Sequence, residues 1–281
     1  MIINPYIYAT SSYSYLLDTY TGSTAAYSLR KLRSEYSGYA IRVRRSSDNT
    51  SQDIGFVDNE LDTSSLLSFV GGGSGYVSIW YDQTTSGNNL VQVTLTKQPT
   101  IVSSGTLITQ NGKSSLYFSS NLLQATRVFS TSNFSVFSTL SGNSGQSNAS
   151  FLCQHGGGVD VNRTVFISPS GSSPYDKLVT FFNNGTSYSI TSSNVVFDNT
   201  FKLINITSDG SGNTNQYVNS TAEGSLTGQT WSPFNTSLSM GALGNSTAYY
   251  TGYTNEVICY TTNQNTNRSG IESNIKTFYG I

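Results

Sequence analysis

Charge is scarce in this sequence: Asp, Glu, Lys and Arg make up 10% of its 281 residues, and the net charge is −1. A chain with no global field has nothing to steer it onto nucleic acid or an acidic membrane, so neither is expected as a partner. Histidine occurs once, at His155, and cysteine twice, at Cys153 and Cys259. One His and two distant Cys do not have zinc-ligand spacing, and no cofactor motif appears elsewhere, so neither metal nor cofactor is expected. The opening "MIINPYIYATSSYSYLL" lacks the basic start and continuous apolar core of a secretory signal. The two cysteines therefore read as buried thiols rather than a disulfide. No stretch approaches the roughly 18 apolar residues of a membrane span. Proline is also rare, with five in all; there is no Pro-rich linker and no internal repeat.

What is abundant is Tyr and Phe, 19 and 14 residues, set among Ser, Thr, Asn and Gly. That mixture suits short strands with aromatic inner faces and polar turns. From about residue 100 the chain reads strand, turn, strand: "PTIVS", "SSLYFS", "FSVFSTL", "SFLCQ", "TVFIS", "KLVTFFNN", "SYSITS", "FKLINITS", "NQYVNST", "TSLSMGAL" and "TNEVICYTT". Separators such as "SDGSGN" and "GALGNST" hold the Gly and Asn that turns require. The fold class expected is all-β, a concanavalin-like jelly-roll sandwich with short peripheral helices near the N-terminus and at the C-terminus.

Three helices are expected. Ala25, Leu29, Leu32 and Tyr36 fall at spacings of three and four, predicting a helix over 24–36. Asp62 stands in the capping position of a second, over 62–69. The terminal "NRSGIESNIKTFYGI" predicts a third, with Ser269 and Glu272 as a capping box and Ile271, Ile275 and Phe278 as its apolar stripe. Residues 1–20 read as an arm or attachment segment and 21–281 as the sandwich domain.

Six of the fourteen Lys and Arg cluster at Arg30, Lys31, Arg33, Arg42, Arg44 and Arg45. Five acids follow at once: Asp48, Asp53, Asp58, Glu60 and Asp62. Such a neutralising set argues against a nucleic-acid patch and for solvated or mutually paired faces. "GGGSG" at 71–75 lacks the Lys of a phosphate loop and reads as a turn. "DNELD" offers oxygens for calcium without calcium-loop spacing, and reads better as a capped helix start. A triad built on His155 is the one serine-hydrolase option, and a lone His in a Gly-rich turn is more often structural. The ten Asn-x-Ser/Thr sequons are close to chance in a chain of this composition.

The stretch "AYSLRKLRSEYSGYAIRVRRSSDNTSQDIG", followed by "IWYDQTTSGNNLVQ", resembles the start of the family 54 α-L-arabinofuranosidase catalytic domain. It also resembles bacteriophage virion proteins with the same opening, which share "SLLSFVG", "QPTIVSSG", "NGK" and a terminal helix like "IESNIKTFYGI". The resemblance implies a retaining glycosidase scaffold, which needs two carboxylates about 5 Å apart. It places the nucleophile, a Glu shortly after two adjacent cysteines in that family, at Asp160, with Leu152-Cys153 in place of the cysteine pair. The general acid falls on Asn245 in "LGNST", and Asn cannot protonate a leaving group at neutral pH. These positions are degenerate, so no hydrolase activity is expected.

The resemblance implies instead a structural virion protein, made in the host cytoplasm: a capsid decoration, head-fibre or tail-associated subunit. Its partners would be other virion proteins, met through the N-terminal segment, in a homo-oligomer with a trimer favoured. A glycan-contacting surface toward the host is the companion expectation. Trp80, Tyr81, Asp82, Gln83, Asn88 and Asn89 offer aromatic and polar groups for it, although large aromatics more often build cores.

Overall fold

The computed structural model describes residues 14–146, 149–155, 163–170, 176–183, 186–229, 237–244 and 248–281. Strands dominate, and every ladder between them is antiparallel. The first layer centres on Thr251–Tyr260, which pairs with Asn133–Gly142 on one side. On its other side it pairs with Ser23–Ser28 along one half and Leu116–Ser119 along the other. Lys202–Asp209, Thr214–Val218 and Thr221–Leu226 extend this layer.

The second layer runs Ser51–Ile54, Ile41–Arg45, Gly75–Trp80, Leu90–Val91, Leu123–Ala125, Leu238–Met240, Leu152–His155, Arg163–Pro169, Lys177–Asn183 and Ser187–Val195. Thr100–Ser103 pairs with both Gly75–Trp80 and Leu116–Ser119, bridging the layers at one edge. The result is a jelly-roll-like sandwich approaching a barrel, as the strand pattern implies.

Among the described residues three short α-helices lie on this body: α1 (Leu16–Thr19), α2 (Thr63–Val70) and α3 (Arg268–Tyr279). The placement of α1 and α3 explains why Asn133–Gly142 and Thr251–Tyr260 are buried along almost their whole length. Alternate side chains point to opposite faces of a strand. Ala25, Tyr27, Val136, Ile204, Ile206, Val257 and Cys259 enter the core between the layers. Ala26, Phe137, Leu203, Ile258 and Tyr260 face outward into a second core, closed by Leu16 and Leu17 of α1 and Ile271, Ile275 and Tyr279 of α3. A strand covered on both faces loses the apolar–polar alternation that usually reveals it.

That loss accounts for one correction. Residues 24–36 are not a helix: Ser23–Ser28 is a strand held by Thr251–Tyr260, and residues 31–40 form an irregular loop. Periodicity alone cannot separate a short doubly buried strand from a helix, and the partner strand lies more than 220 residues away. The second and third helices stand where expected, and Asp62 caps α2 by accepting from the Ser65 amide at 2.9 Å. The capping box does not form. Helix α3 begins at Arg268, so Ser269 lies inside it, and Glu272 pairs with Arg268 one turn back at 2.9 Å. Residues 14–20 pack on their own domain, with Leu16 and Leu17 buried; residues 1–13 of the expected arm lie outside the described residues.

Candidate functional site

The basic cluster resolves into individual pairings. Arg42 reaches both carboxylate oxygens of Asp53, at 2.8 and 2.7 Å, across the ladder between Ile41–Arg45 and Ser51–Ile54. Arg45 holds Asp48 in the same two-pronged way, within the turn. Arg44 is buried, donating to Gln98, Asn49 and the Leu95 carbonyl, with its guanidinium 4.7 Å from the Tyr76 ring centre. Arg30 is buried against Glu256 at 2.7 Å. These four arginines are scaffold, tying the first two strands to the rest of the sandwich.

Of the six residues expected to offer a sugar surface, three are interior and three half-buried. Trp80 and Gln83 have no exposed surface and Asp82 is 4% exposed, so none of the three can meet a glycan from solvent. Asp82 accepts from the amides of Ala26, Thr84 and Asn88 and from the Thr84 hydroxyl. Gln83 accepts from the Leu32 amide and donates to the Ser28 and Arg30 carbonyls. Asn89 accepts from the Asp82 amide, and Asn88 accepts from Thr126 through its side chain and from Tyr27 through its carbonyl. Tyr81 donates to Asp53 at 2.7 Å. The turn thus clamps the irregular loop that follows the first strand, supplying the hydrogen bonds that a loop cannot make for itself.

Asp160 and Asn245 lie outside the described residues, as does the side chain of His155. The stretches leading to them do meet. Leu152–His155 pairs with Leu238–Met240, the Cys153 thiol contacts the Ala242 carbonyl at 3.4 Å, and the Gly241 amide donates to the Phe151 carbonyl. Cys153 and Cys259 are both buried, and neither is in a disulfide.

Fourteen of the fifteen carboxylates fall among the described residues, and every one except Asp58 has a hydrogen-bond donor or an ion-pair partner, Glu35 only a loose pair with Arg33 at 3.8 Å. The Arg42 guanidinium holds Asp53 below the usual carboxylate range, and Arg45 does the same for Asp48. Hydrogen bonds from Ser65 lower Asp62, and those from Asn213 lower Asp209. A glycosidase general acid needs the opposite direction, a carboxyl kept protonated near neutral pH. The carboxylates of "DNELD" serve separate ends: Glu60 pairs with Lys113 and Asp62 caps α2. Among the described residues no cluster of His, Cys, Asp and Glu could hold a metal ion.

Sequence reasoning missed one feature. An open groove of about 660 Å³ lies between the loop carrying Tyr36, Gly38 and Tyr39 and the turn carrying Phe56, Asp58 and Asn59. Its residues belong to a loop and a two-residue turn, which leave no periodic signal.

No curated protein matches the sequence. The catalytic-domain profile of α-L-arabinofuranosidase B matches residues 16–129. Among solved structures, a GH54 α-L-arabinofuranosidase variant soaked with 4-nitrophenyl α-L-arabinofuranoside is similar at a TM-score of 0.65 and 15% identity, over 92% of this chain and 64% of that one. An arabinofuranosidase complexed with arabinofuranosyl-α-1,2-xylobiose gives 0.61 and 15% over the same shares. The binding domain of Paraclostridial Mosquitocidal Protein 1 gives 0.51 and 12%, over 86% and 52%. The chain therefore has the fold of a GH54-like catalytic domain and spans 64% of the arabinofuranosidase chains it matches.

Proposed function

We propose that the chain is a non-hydrolytic structural subunit of a bacteriophage particle, a capsid decoration, head-fibre or tail-associated protein on an arabinofuranosidase-like scaffold. The observation that carries the non-hydrolytic half is the state of the carboxylates: among those described, all but Asp58 are occupied in caps, turns and ion pairs. Fold does not imply chemistry, and the part of the chain with the most specific family likeness, residues 25–93, is engaged in holding strands together. The particle half is supported by that same opening, which this chain shares in texture with phage virion proteins. A homo-oligomer, with a trimer favoured, and attachment through residues 1–13 complete the proposal.

Two measurements test it. Purified protein incubated with 4-nitrophenyl α-L-arabinofuranoside is expected to release no nitrophenol above background; turnover that disappears in Asp160→Asn would overturn the non-hydrolytic reading. Mass spectrometry of purified particles is expected to find the chain in stoichiometric amounts. Its absence from particles would overturn the structural one.

A further inference from the structure

We propose that the groove between the Tyr36–Tyr39 loop and the turn at Asp58 and Asn59 is a binding site for a neutral saccharide unit. Its volume of about 660 Å³ falls within the span of small-ligand sites, roughly 300–1,000 Å³. Tyr39 is 51% exposed, with its ring set against that of Tyr81 at 6.2 Å, so one side is supported and the rest is wet. Tyr36 meets Phe56 edge-on at 6.3 Å, forming an aromatic wall. The apolar C–H face of a sugar ring is complementary to such surfaces, while its hydroxyls need polar partners at the rim.

Those partners are present, with polar groups to spare. Asp58 is the one carboxylate among the described residues with neither a hydrogen-bond donor nor an ion-pair partner. Asn59 uses its side-chain oxygen to accept from Tyr15, leaving its amide nitrogen without a partner among the described residues. Lys31 has no carboxylate partner among the described residues; its ammonium lies 5.5 Å from the Tyr15 ring centre. One positive and one negative group at the same rim cancel, which favours a neutral polyhydroxyl ligand over an anion or a cation.

The frame is preorganised, which limits the ordering cost of binding. Asp58 and Asn59, at φ 50° and 68°, form the two-residue turn between Phe56–Val57 and Glu60–Leu61, where left-handed Asx residues are at home. The Lys31 amide ties this turn to the loop by donating to the Asn59 carbonyl at 2.8 Å. Opposite, the Tyr36 hydroxyl donates to the Tyr39 carbonyl across Gly38. A Cβ on Gly38 would lie 2.6 Å from that hydroxyl oxygen, so only glycine lets Tyr36 close the loop. The groove borders Ser51–Ile54, at the end of the second layer. Four strands separate it from Leu238–Met240, whose neighbour Leu152–His155 leads to Asp160.

The inference deepens the virion reading by giving the particle a glycan contact, and its test is independent of where the protein resides. Wild type, Tyr39→Ala, Asp58→Ala and a control, Val93→Ser, are titrated by saturation-transfer NMR with arabinotriose, xylotriose, mannotriose, lactose and trigalacturonate. Melting curves establish that each variant is folded. At least one neutral sugar is expected to bind with a dissociation constant on the order of 1 mM or below. Both site variants should weaken that binding at least about tenfold and Val93→Ser should not. Binding to none of the neutral sugars, a preference for trigalacturonate, or affinity indifferent to Tyr39→Ala and Asp58→Ala overturns the site. Chromatography of the titrated samples detects any cleaved sugar, so a failure of the non-hydrolytic reading appears separately from a failure of the site.

Discussion

The carboxylate of Glu256 accepts from Ser28, from two nitrogens of Arg30 and from the Tyr279 hydroxyl, all in the interior. The Arg30 guanidinium also lies over the Phe278 ring, 4.5 Å from its centre. One ion pair therefore joins the first strand, the last strand and the C-terminal helix. Removing one partner of a buried pair leaves an uncompensated charge, at a cost of about 3–5 kcal/mol. Arg30→Met is expected to lose that much in chemical denaturation. The double variant Arg30→Met/Glu256→Leu should recover a good part of it, because apolar residues of similar volume replace such pairs at little cost. If the double variant is worse than the single one by a further comparable step, the pair is not coupled in this way.

Among elements, the central ladder of the first layer contains a cross-strand glycine pair, Gly142 opposite Gly252. The missing side chains make room for aromatics: a Cβ on Gly142 would lie 2.4 Å from the Phe197 ring. One on Gly252 would lie 2.2 Å from the Ser141 carbonyl oxygen. Backbone cannot step aside as a side chain can. Gly252→Ala is accordingly expected to destabilise by about 1–3 kcal/mol, read as a lower urea midpoint at unchanged slope. Helix α3 supplies the complementary case. Ile275 is buried against the outer face of the first layer, and Ile275→Ala should cost about 2–5 kcal/mol by opening a cavity there. A near-zero change would mean that α3 is not part of the cooperative unit.

For the whole molecule, the ionisable groups define a pH window. Asp48 and Asp53 are lowered by their arginines, so the stability they contribute is present above the ordinary carboxylate range, near pH 4, and is lost as pH falls below it. Burial raises Tyr27, Tyr250 and Tyr279 well above the ordinary phenol value, so their contribution is present below about pH 10 and is lost as pH rises beyond it. The urea midpoint is expected to be level between about pH 5 and pH 9 and to fall at both ends. Ultraviolet titration should show the buried tyrosines ionising together with unfolding; smooth ionisation of all 19 in the folded state would contradict their burial.

Deletion of the N-terminus separates two roles at the same scale. Removing residues 2–13 spares Leu16 and Leu17 and should leave the melting temperature near native while abolishing assembly into particles. Removing 2–20 takes both leucines from the second core and should lower stability by several kcal/mol. Normal assembly of the shorter deletion would sink the attachment role of residues 1–13.

Local chemistry was enough to read much of this protein from its sequence. Turn residues at short spacing marked the strands from Thr100–Ser103 to Thr251–Tyr260, Asp62 announced its helix, and acids following bases announced ion pairs. Each of those signals acts between residues close along the chain, where composition and spacing are visible. Tertiary structure alone decided what depends on distant partners. Ser23–Ser28 is a strand because Thr251–Tyr260 lies beside it, and the "WYDQ" turn is interior because its polar groups satisfy a loop some fifty residues earlier. Asp58 stands unpaired beside an aromatic groove because a hairpin turn and a glycine loop meet there. Burial and pairing across the fold are properties of three-dimensional neighbours, and a linear pattern does not carry them.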